Sequence, residues 1–170
     1  MTVKKVSLGI TSLLIAALTI GCSQSADKLY ENGKSLVNNS ETQIKGLEKL
    51  ILFEKRFYGD TRAPEVVFMI AGVQLDRKEY ADAESTISRL LKNYPESPEA
   101  SKGLFLLGYT FYDQLGDKNK AREVFGEFIK KYPQSELAAS AKTLIDNMDI
   151  PVEQWPVVKQ IEDSKKLEQP

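Results

Sequence analysis

Leu90-Leu91-Lys92-Asn93-Tyr94-Pro95-Glu96-Ser97 returns as Phe128-Ile129-Lys130-Lys131-Tyr132-Pro133-Gln134-Ser135, 38 residues further along the chain. The shift carries outward in both directions, pairing Ala83 with Ala121, Ile87 with Phe125, Ala100 with Ala138 and Leu107 with Ile145. A looser copy lies upstream at a shift of 37. It pairs Leu50 with Ile87, Phe53 with Leu90, Phe57 with Tyr94, Ala63 with Ala100 and Phe68 with Phe105. A fixed period of this length is the signature of stacked repeats, in which one supersecondary unit covers its apolar face only against its neighbours.

Each unit reads as two helices. Breaks fall at Gly59 to Ala63, Pro95 to Pro98 and Gly116 to Asn119. Ser97 followed by Pro98 predicts an N-cap and a residue suited to the first helical turn. Ser40 with Gln43 predicts a capping box. Between the breaks, apolar residues recur at helical spacing: Leu47, Leu50, Ile51, Phe53 and Phe57 in one segment, Leu104, Leu107 and Phe111 in another. Ala121, Val124, Phe125, Phe128 and Ile129 make a third. No alternating apolar and polar run is flanked by hairpin turns, so the expected class is all-α. A helix from Glu136 to about Met148 is expected to cap the last pair, since an exposed repeat face needs cover. From residue 149 a partly flexible extension is expected: Pro151 and Pro156 start it extended, Trp155, Val158 and Ile161 suit a short helix, and Glu162 to Pro170 reads as a frayed charged end.

These positions resemble the tetratricopeptide repeat (TPR). The third unit supplies Leu107, Gly108 and Phe111, then Ala121, Phe125 and Pro133; the second supplies Gly72 and Leu75, then Ala83, Ile87 and Pro95. The first is degenerate, with Gly33, Leu36, Gly46 and Leu50, and Tyr58 where proline would stand. Small residues at the Gly and Ala positions let helices approach closely. The resemblance implies a short right-handed α-solenoid of about three TPR-like helix pairs plus a capping helix, over residues 27–148. It also implies that the first helix of each pair lines a protein-binding groove. That assigns Lys102, Phe105, Tyr109, Tyr112 and Asp113 from one helix, and Met69, Val73, Asp76 and Arg77 from the preceding pair. Tyr109 and Tyr112 suit a binding anchor, with large contact area and a polar tip; they equally suit packing between repeats.

The first two dozen residues differ in kind. Lys4 and Lys5 precede an uncharged stretch from Val6 to Ile20. As a helix it spans about 22 Å, short of the roughly 30 Å hydrocarbon core, so it reads as a signal-peptide apolar region over residues 1–21. It ends in Leu18-Thr19-Ile20-Gly21-Cys22, which resembles a bacterial lipobox. That resemblance implies cleavage before Cys22, a lipid anchor on Cys22, a short lipidated linker over residues 22–26 and a place in the cell envelope. Two or more acyl chains pass the threshold for stable anchoring. Under the enterobacterial sorting rule that goes with this resemblance, Ser23 after the cysteine, rather than aspartate, implies the outer membrane facing the periplasm.

Composition narrows the chemistry. The chain has no histidine and a single cysteine, which removes His-based acid–base catalysis, His-dependent nucleophiles and Cys/His metal sites. Beyond Lys5, 21 basic residues face 24 acidic ones, leaving no basic footprint for nucleic acid. Glu79, Asp82 and Glu84 read as the solvated first turn of a helix. No catalytic residues, cofactor or metal are expected, and the protein is expected not to be an enzyme. The phrase from Phe125 to Ala141 is similar to the repeats of BamD-like outer-membrane assembly lipoproteins and of the periplasmic repeat domain in the YbgF family. The expected function is a membrane-anchored adaptor that binds an envelope protein or peptide partner, in outer-membrane or cell-wall assembly. The alternative is a structural or carrier lipoprotein that self-associates as a spacer or holds a small ligand.

Overall fold

The computed structural model describes residues 26–167, and among these every regular element is helical. The expected signal peptide and lipobox, with Cys22, lie outside the described residues. Helices α1 (26–37), α2 (Gln43–Arg56), α3 (Ala63–Asp76), α4 (Tyr80–Asn93), α5 (Pro98–Tyr109), α6 (Lys118–Lys131), α7 (Ala138–Asn147) and α8 (Pro156–Leu167) follow in order. The fold is all-α and TPR-like. It divides between Thr86 and Ile87 into two compact units.

Unit 1 holds α1, α2, α3 and the first half of α4. Its core is Tyr30, Leu50, Phe53, Val66, Val67, Ile70 and Ala71, none more than 7% exposed. Each large apolar side chain buried this way stabilises by about 1.5–3 kcal/mol. The approach of α1 to α2 depends on two glycines. A Cβ on Gly33 would meet Leu50 Cδ2 at 2.5 Å, and one on Gly46 would meet the backbone nitrogen of Val37 at 2.7 Å. Ala26, expected in a linker, is 3% exposed within α1.

Two local expectations are corrected here. Ser40 and Gln43 form no capping box: the N-cap of α2 is Thr42, without a side-chain cap bond. Its hydroxyl instead donates backwards to the carbonyl of Leu36 at 2.8 Å, while Asn39 Oδ1 accepts from the Glu41 amide at 2.9 Å. An Asx turn has taken the place of the box. Gly72, expected at a close helix approach, faces open space. Under the shift of 37 that pairs Ala63 with Ala100 and Phe68 with Phe105, Gly108 corresponds to Ala71, which is fully buried. The small residue is present, one position earlier.

Unit 2 holds the second half of α4 with α5 to α8. Ser97 caps α5, its side chain accepting from the Ala100 amide at 3.1 Å with Pro98 in the first turn, as its sequence predicts. Gly103 lets α5 approach Leu90. Gly108 does the same for Phe125, whose ring a Cβ would meet at 2.8 Å. Ala121, Phe125 and Phe128 on α6 are fully buried. Helix α7 starts two residues later than expected and packs on α6; Ala141 within it and Met148 at its C-cap are 0% and 1% exposed. Arg122 on α6 donates to the Ile145 carbonyl at 3.0 Å and to Asp149 at 2.7 Å. Beyond a 3-10 turn (Val152–Gln154), α8 continues past Glu162 to Leu167, so helix extends into residues whose charge suggests a frayed end.

Candidate protein-binding surface

Helix α5 turns Gly103, Leu104, Leu107 and Gly108 inward, and about two helical turns apart on its other side stand Lys102 and Tyr109, both exposed. The helix does not end at Tyr109. It widens into a π-helical turn over Thr110–Gln114, in which the Leu115 amide donates to the Thr110 carbonyl at 3.1 Å. Such turns recur at functional sites. Thr110 is 1% exposed, and its hydroxyl donates to the Leu106 carbonyl at 2.9 Å while its backbone amide bonds the same carbonyl. Gly116, at φ 65°, then reverses the chain, and Asp117 caps α6 by accepting from the Lys120 amide.

Tyr109 and Tyr112, three residues apart, stand side by side with ring centroids 6.4 Å apart at 59°. Tyr109 is 39% exposed, Tyr112 half-buried and Asp113 exposed. Phe105 has a different role. It packs on Phe125 at 5.4 Å and on Phe128 at 5.6 Å, joining the core of unit 2. Lys120 lies over the Phe111 ring at 6.0 Å. Unit 2 therefore presents an aromatic pair with the exposed anion Asp113 next to it in the chain.

Of the residues assigned on α3, Met69 is half-buried and Asp76 and Arg77 are exposed. Arg77 is engaged locally, its Nε donating to Glu79 at 2.8 Å across Lys78, which adopts φ 61°. Val73 is 4% exposed and offers almost no surface, which corrects its expected place in a groove. The register explains it: at a shift of 37, Tyr109 corresponds to Gly72. No aromatic stands at that position of α3.

Two features are not legible in the repeat pattern. In unit 1 a polar network ties α1 to the start of α3. Tyr30 donates to Glu65 Oε2 at 2.8 Å, Lys34 to Glu65 Oε1 at 2.9 Å and to the Tyr30 hydroxyl at 3.0 Å. Arg62 reaches Asp27 and both oxygens of Asp60 at 2.8 Å, with its guanidinium 5.0 Å from the Tyr30 ring centroid. The hydrogen bond from Arg62 holds the Asp60 carboxyl below its usual range. Burial pushes Glu65 up, but the hydrogen bonds from Lys34 and Tyr30 outweigh it and leave Glu65 lowered. In unit 2, Tyr132 Oη donates to the Pro95 carbonyl at 3.0 Å, joining the two copies of the repeated phrase across 37 residues. Beside it opens a cleft of about 320 Å³ lined by Ser97, Ser101, Lys131 and Gln134.

Among the described residues, no group of three or more His, Cys, Asp or Glu is placed to hold a metal. No described helix is long and apolar enough to cross a membrane. Comparison with known proteins gives the setting. The chain is 21% identical over 156 positions to the outer membrane protein assembly factor BamD of Caulobacter vibrioides, covering 81% of this chain and 51% of that protein. It thus spans about half the length of this curated relative. Residues 23–149 match the YfiO family of outer membrane lipoproteins, three-quarters of the sequence, and the chain belongs to that family.

Proposed function

We propose that this protein is a non-enzymatic adaptor of outer-membrane assembly, tethered through lipidated Cys22 at the periplasmic face and binding a partner protein at the α5 surface of unit 2. The observation that carries the reading is the Tyr109–Tyr112 pair, Tyr109 exposed and Tyr112 half-buried, at the end of a helix whose opposite side approaches α6 closely at Gly108. Tyrosine presents a large rigid face with few rotatable bonds, and paired aromatics are enriched among the residues that dominate binding energy. Asp113, next to Tyr112 in the chain, and Lys102, about two turns back along α5, supply charges of both signs, which suits orientation of a partner more than affinity. Membership in an outer-membrane lipoprotein family and similarity to a protein named as an assembly factor support the location and the partner class.

The test is co-purification from detergent-solubilised envelopes. A defined partner recovered with the wild-type chain is expected to be lost, by tenfold or more at a hot spot worth about 2 kcal/mol, from the Tyr109→Ala/Tyr112→Ala variant. A partner held equally by both proteins overturns the assignment of the surface.

A further inference from the structure

In unit 1, the large apolar side chains that stay exposed among the described residues all belong to α2 or the turn after it. They are Ile44 at 54%, Ile51 at 45%, Leu52 at 39% and Tyr58 at 75%. Helix α2 already buries one face through Gly46, Leu50 and Phe53, so these aliphatics form a second apolar stripe on the outer side. Exposed Lys45, Lys55 and Arg56 interleave with them, against exposed Glu48. Composition decides between two kinds of occupant. The centre of a protein–protein interface is depleted in lysine. A helix lying at a lipid surface combines aliphatic side chains with Lys and Arg, whose stems run along the apolar region while their charges reach anionic headgroups. The outer face of α2 has the second pattern.

We infer that the outer face of α2 rests on the anionic lipid surface of the membrane to which the chain is tethered, as a contact additional to the anchor. The inference rests on the Cys22 tether in the proposed function. It gives unit 1 a preferred face toward the bilayer, where an anchor alone leaves it free to tumble.

The test uses the lipidated full chain reconstituted in vesicles of phosphatidylethanolamine and phosphatidylglycerol. An environment-sensitive fluorophore is attached to cysteine introduced by Ile44→Cys, by Leu52→Cys or, as a control on α4 of the same unit, by Ser85→Cys. Labels at 44 and 52 are expected to shift to the blue and to be quenched by nitroxide-bearing lipids, and the label at 85 is not. Lys45→Gln/Lys55→Gln is expected to shift the bound-to-free ratio by roughly fivefold per charge removed, and phosphatidylcholine vesicles are expected to reproduce that loss. Equal quenching at 44 and 85 overturns the inference. So does burial of the label at 44 that appears only when another protein is added, which marks the face as a protein interface. The tether is read separately from the parent chain: an acylated Cys22 takes no fluorophore, and a parent that labels refutes lipidation. The comparison of position 44 with 85 still judges the α2 face.

Discussion

Replacing Gly46 with alanine adds one carbon where α2 crosses the end of α1, and the structure gives both terms of the outcome. The new Cβ falls 2.7 Å from the Val37 backbone nitrogen and 2.9 Å from the Leu36 carbonyl carbon. These are backbone atoms, so no rotamer change relieves the contact, and α1 must shift as a whole. Overpacking of this kind costs about 1–3 kcal/mol. Against it, alanine is favoured over glycine in a helix interior by about 1 kcal/mol. The net expectation is a loss of up to about 2 kcal/mol, a sizeable fraction of a typical 5–15 kcal/mol stability. Gly72→Ala is the matched control: the same chemistry inside α3, with nothing within 4 Å of the added carbon. It is expected to gain up to about 1 kcal/mol. Guanidinium unfolding followed by circular dichroism should separate the two midpoints in opposite directions from wild type. A Gly46→Ala protein as stable as Gly72→Ala refutes the argument that the glycine serves close helix approach.

Acidification tests the α1–α3 network. Asp60 and Glu65 are held below their usual range, so the unfolded chain binds more protons than the folded one and stability rises with pH. Their contribution is present above the usual carboxylate range and lost as pH falls from about 5 through it. Arg62→Gln is expected to flatten that slope in acid unfolding curves, and an unchanged slope contradicts the assignment. Tyr132→Phe removes one exposed hydrogen bond to Pro95 and is expected to cost about 0.5 kcal/mol in thermal melts; a loss above 2 kcal/mol means the hydroxyl does more. For the tether, Cys22→Ala should abolish incorporation of radiolabelled palmitate and release the chain from the envelope. Wild-type labelling and fractionation in that variant end the lipoprotein reading.

The repeated phrase made the helix pairing legible because it records the packing period itself. Ala63 and Ala100 are both fully buried, as are Leu50, Ile87 and Phe125 one period apart. The phrase could not report contacts that differ between units. Tyr30, Lys34, Arg62 and Glu65 belong to unit 1 alone, and nothing at their period-related positions marks them as a network. Gly72 misled because a helical glycine looks the same in sequence whether it faces a neighbouring helix or solvent. Aligning on the glycine instead of on Ala63 moved the α3 positions by one residue, and one residue in a helix is a turn of about 100°, enough to place buried Val73 on the outside. The Tyr109–Tyr112 pair was readable from spacing three apart. The π turn that follows was not, because the residue types from Thr110 to Gln114 suit a regular α-helical turn equally well.

The adaptor reading turns on whether a partner touches the tyrosine pair in the living envelope. A photoreactive amino acid at position 109, with a second at exposed Lys118 on α6 as control, measures this directly. The account expects one defined heterologous adduct at 109 and none of that mass at 118. Adducts at 109 only with other copies of this chain, or the same adducts at both positions, contradict it.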